Sequence, residues 1–289
     1  MAVLYHTLIM SGIYIILTTS LNLVAGYTGL FSFCHGAFYA IGAYAGALLT
    51  LKLGFPFWAE VLGAACIAGL GGIAIGFPTL RVRGGYLALA TYGFAVIIFT
   101  ILNNWESLTR GPLGIRGIPH VNLFGIVFNS LWSFTLLVAF FVFVTIFCLW
   151  RLTKSSFGKV LLAIREDETA ALAIGKNIAR LKVTSFCIGA FFAGIAGTLY
   201  AHYVRFIDPT AFVAQESFLV YNMVILGGRG SLPGSVLAAL LLVFVPEALR
   251  FLGLPGFYAV QLRQMIYGGL IVVILIYRPQ GILGKTYKT

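Results

Sequence analysis

The chain has 289 residues, 60% of them hydrophobic and only 9% charged, with a formal net charge of +11 and a mean hydropathy of +1.00. A water-soluble domain carries about 25% charged residues, so this composition cannot clothe a globule in polar surface, and soluble enzymes and nucleic-acid-binding modules are excluded. A bilayer core about 30 Å thick takes about 20 helical residues per crossing, so the length allows at most about ten crossings; the expectation is one all-α polytopic membrane domain over residues 1–289.

In chain order, long uncharged runs ended by charge, glycine or proline predict spans over 5–25, 28–51, 57–80, 85–104, 126–150, 181–204, 213–228, 234–252 and 262–277. No basic region precedes the first run, so Tyr5 to Ala25 reads as a retained span rather than a removed signal. Gly26, Gly29 and Gly36 interrupt the second run and Ser32, Cys34 and His35 place polar or polarizable atoms near its start, the pattern of a broken or partly re-entrant span. Gly42 with Gly46, and Gly72 with Gly76, stand at i and i+4 and predict close helix packing. Cys34, Cys66, Cys148 and Cys187 lie in apolar runs without CxxC pairing and are expected as small buried hydrophobes.

Basic residues set the orientation, because Lys- and Arg-rich loops are retained on the cytoplasmic side. With the polar stretch 151–182 placed there, that side collects Arg81, Arg83, Arg151, Lys154, Lys159, Arg165, Lys176, Arg180, Lys182, Arg229, Arg278, Lys285 and Lys288, leaving Lys52, Arg110, Arg116, Arg205, Arg250 and Arg263 outside. The N-terminus is then external and the C-terminus cytoplasmic. Of the eight acidic residues, Glu60, Glu106, Asp208, Glu216 and Glu247 map to outer loops or outer ends of spans and Glu166, Asp167 and Glu168 cluster in the cytoplasmic loop. With none expected at mid-membrane, a proton relay or carboxylate sodium site lacks its groups, and the energy for transport is expected from another chain. His6, His35, His120 and His202 are dispersed, as is unsuitable for a metalloenzyme. The tail Pro279-Gln280-Gly281-Ile282-Leu283-Gly284-Lys285-Thr286 imitates a P-loop, but it has Pro for the first Gly and follows a membrane span; Gly69 to Ala74 imitates a dinucleotide fingerprint inside an apolar span.

Loop 151–182 carries the densest pattern. Phe157, Val160, Leu161 and Ile164 fall at i, i+3, i+4 and i+7, one apolar face of a short helix with Ser155 or Ser156 as its cap. A second helix is predicted with Asp167 as N-cap, Glu168 in the first turn, Thr169 to Ile174 as its body and Gly175 as terminator; Asn177 caps the next span. Such an element, held between two membrane helices, suits either receipt of a push from a cytosolic motor or contact with lipid headgroups.

The text REDETAALAIGKNIARLKVTSFCIGAFFAGIAGTLYAHY from Arg165 resembles the cytoplasmic-loop signature of permease subunits in ATP-binding-cassette importers for branched-chain amino acids. The likeness continues in LNLVAGYTGLFSFCHGAFYAIGAYAGALL from Leu21, MVILGGRGSLPGSVLAALLL from Met223, VPEALRF from Val245 and YRPQGILG from Tyr277. LRVRGGYLALATYGFAVII from Leu80 with GPLGIRGIP from Gly111 is similar to the M-type (LivM-like) subunit rather than its H-type partner. The resemblance implies a multi-pass protein of the bacterial inner membrane, paired with a second, H-type permease, two cytosolic ATPases and an external solute-binding protein. It implies no catalytic residue, cofactor or metal in this chain, ATP and Mg being bound by the ATPases. Carried over, Arg165, Glu166, Asp167, Glu168, Thr169, Ala170, Ala171 and Gly175 would dock in an ATPase cleft. For the translocation path the polar groups in apolar spans are the candidates: Asn22, Ser32, His35, Thr91, Tyr92 and Asn222. Their competing role is interhelical hydrogen bonding. Gly85, Val96, Leu30 and Cys34 depart from residues common in such permeases, which leaves urea, short amides and other amino acids as alternative cargo. A motor-independent channel or carrier, and a membrane scaffold, are the readings from other classes.

Overall fold

The computed structural model describes residues 2–79, 82, 84–123, 126–250, 265–266, 268–269, 272–274, 276–278 and 280–284. Its elements in order are α1 (Ala2–Leu21) running into a π-helical turn (Asn22–Tyr27), α2 (His35–Leu53), α3 (Phe57–Thr79), α4 (Gly85–Asn104) and the single turn α5 (Glu106–Thr109). A 3-10 turn (Gly111–Leu113) leads to β1 (Ile115–Arg116), β2 (Asn122–Leu123) and β3 (Ile126–Val127), then α6 (Leu131–Lys154), α7 (Ser156–Glu166), α8 (Glu168–Ala173) and α9 (Ile178–Val204). β4 (Phe206–Ile207), a second 3-10 turn (Pro209–Phe212), α10 (Ala214–Gly227) and α11 (Leu232–Arg250) follow. Among the described residues seven helices are long and apolar enough to cross a bilayer, and Leu232–Val245 is a shorter apolar helix. The protein is a polytopic helical membrane protein. Of the expected span 262–277, residues 262–264, 267, 270, 271 and 275 lie outside the described residues, as do Arg81, Arg83, Lys285, Lys288 and Pro279.

Expected and observed spans differ where backbone chemistry intervenes. The second begins at His35 rather than at residue 28, because Gly29, at φ +77°, turns the chain out of the helix and residues 28–34 run back beside the end of α1. His35 Nε2 thereby meets Ser20 Oγ at 2.8 Å. The span expected from 126 starts at Leu131, where Ser130 Oγ accepts from Ser133 N at 3.1 Å as a true N-cap, and Ile126 and Val127 pair instead with Leu123 and Asn122 in a hairpin.

Helices α2, α3 and α9 form the tightest packing, and glycines permit it. A Cβ on Gly42 would lie 2.4 Å from Gly194 Cα, one on Gly197 2.2 Å from Tyr39 O, and one on Gly72 2.7 Å from Phe186 O. The backbones therefore touch, as expected for small residues in a lipid-immersed bundle where helix association relies on close van der Waals fit. Gly46 and Gly76 lie at the same seams, against Thr198 and Val183. α4 and α6, by contrast, bury only 22% and 28% of their apolar windows and turn broad faces outward. Cys66 and Cys148 sit on such outward surfaces and Cys187 is half-buried, so of the four cysteines only Cys34 is a buried hydrophobe; an apolar run in a membrane helix has no need to point inward.

At one end of the bundle β1 pairs antiparallel with β4, Ile115 opposite Ile207. A buried clasp reinforces the joint: His202 of α9 bonds Glu60 Oε1 of α3 at 2.7 Å through Nε2 and Pro119 O at 3.0 Å through Nδ1. A carbonyl can only accept, so Nδ1 carries a hydrogen and the His–Glu contact shares one further proton. The dispersed histidines thus include one that ties a long loop to two spans.

The glycine seams yield a paired test. Gly197→Val should force α2 and α9 apart and destabilise by about 1–3 kcal/mol, seen as a lower unfolding temperature in detergent. Gly93→Ala, where a Cβ meets nothing within 4 Å, should hold or raise that temperature, since alanine suits a helix interior better by about 0.5–1 kcal/mol.

Candidate functional site

Two neighbouring regions at the opposite end of the bundle carry the residues singled out from the sequence: the α7–α8 loop and the break after α1. α7 is amphipathic as predicted, with Leu161 and Ile164 buried and Phe157 and Val160 packed beside them. Its cap differs from expectation. Ser155 occupies the N-cap with extended backbone, but its Oγ donates back to Leu152 O at 2.6 Å instead of accepting from α7. What allows the sharp turn from α6 into α7 is Gly158, on which a Cβ would stand 2.2 Å from Thr153 O; this steric demand leaves no mark in hydrophobic periodicity.

α8 is built by its caps. Asp167 Oδ1 accepts from Thr169 N at 2.8 Å and Ala170 N at 3.1 Å, and the Thr169 hydroxyl also donates to it. These bonds, the Thr169 hydroxyl foremost, hold the Asp167 carboxyl below the usual carboxylate range. Gly175, at φ +74°, closes the helix with its N–H on Leu172 O at 2.9 Å, and Asn177 Oδ1 caps α9 by accepting from Arg180 N at 3.0 Å. Ala171 packs with Ile164 of α7 and Ile178 of α9 in a small separate core. Glu168 receives Lys182 Nζ at 2.9 Å, on an α9 lysine only 10% exposed.

The acidic cluster is therefore mostly turned to the protein's own use. Asp167, though exposed, is a cap and Glu168 a strut to α9, while Glu166 faces outward with its side chain 52% exposed and 3.4 Å from Arg165 Nε. Thr169, Ala170 and Gly175 are exposed on the same tip. So are Leu172 and Ile174, at 52% and 66%; these two apolar side chains, pointing away from every helix, were passed over in the sequence because they read as ordinary members of a helix body.

Arg165 itself faces inward. Its Nη1 donates to Gly26 O at 2.7 Å, in the π-helical turn that ends the first span. Beside it, Arg229 from the α10–α11 turn donates to Ala25 O at 3.1 Å through Nη2 and lies 4.8 Å from the Phe31 ring centre. Asn22, which opens the π turn, gives both amide hydrogens to Ser231 O at 2.9 Å and Ser235 Oγ at 2.7 Å and accepts from Gly230 N at 2.8 Å.

The path candidates divide by exposure. Asn22, Ser32, His35 and Thr91 are buried and partnered inside the chain: Ser32 Oγ is 3.2 Å from Cys34 Sγ, and Thr91 Oγ1 accepts from Phe33 N at 3.0 Å and donates to Ala88 O. Tyr92 and Asn222 reach the surface, exposed and half-buried respectively. They flank an aromatic cluster in which Phe33 lies 4.6 Å from Phe218 and 4.9 Å from Tyr221, and Tyr92 5.9 Å from Phe218. Glu216 corrects the expectation that it marks an outer end: its Oε2 accepts from Tyr14 OH at 2.9 Å, halfway along the first span, and its neighbour Ser217 Oγ accepts from Gly36 N at 2.9 Å. The run 213–228 gave no sign that its helix begins this deep.

The Asp167 cap is checked by hydrogen exchange. Asp167→Ala should speed exchange across 168–174 with little change in α9, and Asp167→Asn, which keeps an accepting oxygen, should lie between. A lowered carboxyl value means the cap contributes fully above the ordinary aspartate range and is lost as pH falls through the folded-state value, so wild-type α8 should loosen in acid while Asp167→Asn should not.

Residues 3–275 match the family described as Branched-chain amino acid transport system / permease component. The chain is 39% identical to the high-affinity branched-chain amino acid transport system permease protein LivM of Escherichia coli K12, over 95% of this chain and 68% of that one. It is 28% identical to the probable branched-chain amino acid transport permease protein LivM of Methanocaldococcus jannaschii, over 94% and 90%, and 27% identical to LivH of Escherichia coli K12, over 98% and 94%. No solved structure matches it. With a matching family that spans nearly the whole chain and a relative at this level of identity, the protein belongs to the permease components of branched-chain amino acid transport systems and is LivM-like.

Proposed function

We propose that this chain is the M-type transmembrane subunit of an ATP-driven importer of leucine, isoleucine and valine in the bacterial inner membrane, with residues 1–289 acting as a single permease domain around the coupling loop 151–182. Its N-terminus faces outward and its C-terminus the cytoplasm. It pairs with an H-type permease, receives cargo from an external solute-binding protein and is moved by two cytosolic ATPases; it holds no cofactor and performs no catalysis, ATP and Mg being the ATPases' own. Relatives named as LivM and LivH components of one kind of transport system support a two-permease assembly.

The observation that carries the reading is the α7–α8 element. It is braced from three sides, by the Ile164–Ala171–Ile178 core, by the Glu168–Lys182 pair and by the Arg165 bond to Gly26, and it presents Glu166, Leu172 and Ile174 beyond the bundle. A rigid knuckle with an apolar tip suits insertion into a protein cleft, since a desolvated apolar anchor within a polar rim is what binds. ATP binding and release by the partner would then shift a two-state membrane domain between outward- and inward-open forms, each ATPase state favouring one of them. The outward-facing aromatic surface of Phe31, Tyr92 and Phe218 supplies one wall of a path that the second permease completes, apolar enough to pass a branched aliphatic side chain. Lipid covers the remaining outer surface, including the apolar groove of about 490 Å³ between α2 and α4, lined by Ile41, Leu48, Ile98 and Ile101.

The test is co-purification and uptake in the reconstituted complex. Leu172→Asp with Ile174→Asp, Gly175→Pro, and charge reversal at Glu166 should each lower recovery of the ATPase and ATP-dependent leucine uptake, the double aspartate most. Association and uptake intact in all three would refute the docking role, and leucine flux by this chain alone in liposomes would favour a motor-independent carrier.

A further inference from the structure

A helix that ends in a low-dielectric setting leaves its last carbonyls in need of donors, and in hydrocarbon that need cannot be met by water. The first span ends at the π turn, whose residues 22–26 are buried within the protein, and its last carbonyls can be followed one by one. Leu23 O receives Thr28 N at 3.3 Å and Thr28 Oγ1 at 3.1 Å, and Val24 O receives Leu30 N at 3.2 Å, all from the chain that immediately follows. Ala25 O and Gly26 O, however, are met by side chains from distant parts of the sequence, Arg229 and Arg165. Both are cations at the negative end of a helix dipole, the favourable sense.

Arg165 is the last basic residue of α7, on the rigid element described above. To reach Gly26 it passes between two glycines. A Cβ on Gly29 would stand 2.9 Å from Arg165 Cγ and one on Gly230 3.2 Å from Arg165 Nη1, and both glycines hold positive φ, +77° and +81°. From Gly29 the chain runs directly into Phe31 and Phe33, which pack with Tyr221 and Phe218, and Phe33 N is held by Thr91 of α4. One bond therefore joins the knuckle to the segment that carries the aromatic wall.

We infer that Arg165 is a coupling latch, a positioning residue that transmits displacement of α7–α8 to the re-entrant segment 28–34 and through it to the aromatic cluster. Its charge serves the Gly26 carbonyl rather than an ATPase surface. Displacement of α7 withdraws the donor from Gly26 O, a carbonyl buried while Arg165 is in place, so the turn and the segment after it follow the guanidinium or repack. The inference rests on the importer reading, and a single reconstitution separates the two.

Proteoliposomes containing this chain, its companion permease, the ATPases and leucine-loaded binding protein are assayed for co-purification, ATP hydrolysis and leucine uptake. Absence of ATP-dependent uptake in the wild-type complex overturns the importer reading and the latch with it. Where the wild-type complex transports, Arg165→Ala is expected to co-purify and hydrolyse ATP near the wild-type level while uptake per ATP falls about tenfold or more, the scale of coupling between distant sites. Arg165→Lys, which keeps one charged donor, should recover part of the loss. Gly29→Ala lies away from the docking tip and displaces Arg165 sterically, so it should uncouple in the same way with association intact. Wild-type uptake per ATP in monodisperse Arg165→Ala overturns the latch. So does loss of ATPase association in Arg165→Ala combined with wild-type coupling in Gly29→Ala, which would make Arg165 a docking residue.

Discussion

Few constraints on this molecule weigh as much as the one set by the end of its first span. A buried backbone carbonyl left without a donor costs about 1–3 kcal/mol, yet the first helix loosens into a π turn at Asn22, ends at Tyr27 and is followed by no other until His35. The break is tolerable because the rest of the fold converges on it. Asn22 spends its whole amide on the α10–α11 turn and the start of α11, Thr28 and Leu30 meet two carbonyls, and Arg165 and Arg229 cap the other two from α7 and from the α10–α11 turn. Gly26 is tightly confined, since a Cβ there would fall on the Asn22 carboxamide. Three segments far apart in sequence are thus fastened at one point by polar bonds for which the bilayer offers no substitute.

The two ends of the bundle meet the same requirement with different chemistry. At the β1–β4 end the polar groups are clasped: His202 between Glu60 and Pro119, Arg205 Nε on Ile118 O at 3.3 Å, and a short ladder between Ile115 and Ile207. These bonds bind loop to loop and loop to helix, giving a firm cover. At the α7–α8 end the bonds instead connect separate bodies, a short helix pair, a helical turn and an interhelical hairpin, through long arginine side chains. Arginine offers several donors in a planar fork on a long stem, so one side chain can bridge from one body to a carbonyl of another. Between the ends the glycine seams of α2, α3 and α9 leave no gap for side chains to rearrange, so relative motion falls to the elements outside them.

The α7–α8 element shows how a charged sequence motif can be spent on local structure. Three consecutive acids suggest an anionic patch, but two are consumed in building α8 and fixing it to α9. Glu166 and the capping Asp167 are exposed beside the aliphatic side chains of Leu172 and Ile174. A patch of that kind, if covered by a partner, gains its affinity from desolvation within a shaped cleft more than from long-range attraction.

Residue order alone determined the solvent, the helical class, nearly every span, and the caps at Asp167, Gly175 and Asn177, because these depend on neighbours within one turn and on the number of apolar residues a bilayer requires. It also marked Gly42, Gly46, Gly72 and Gly76 as seams and the stretch after Gly26 as broken, since glycine spacing and polar interruptions are local signals. Only the tertiary structure decided what each polar residue is for. Asn22, Ser32, His35 and Thr91 carry the same sequence signature as Asn222 and Tyr92, yet the first four are spent on bonds inside the chain and the last two stand at the surface. Arg165 reads as part of an outward-facing charged motif and points inward, Glu216 reads as an outer-end acid and meets Tyr14 deep in the bundle, and Cys66 and Cys148 read as core and face outward. For Asn22, Arg165 and Glu216 the deciding partner lies more than a hundred residues away, and no periodicity records which face of an apolar helix a distant segment will cover.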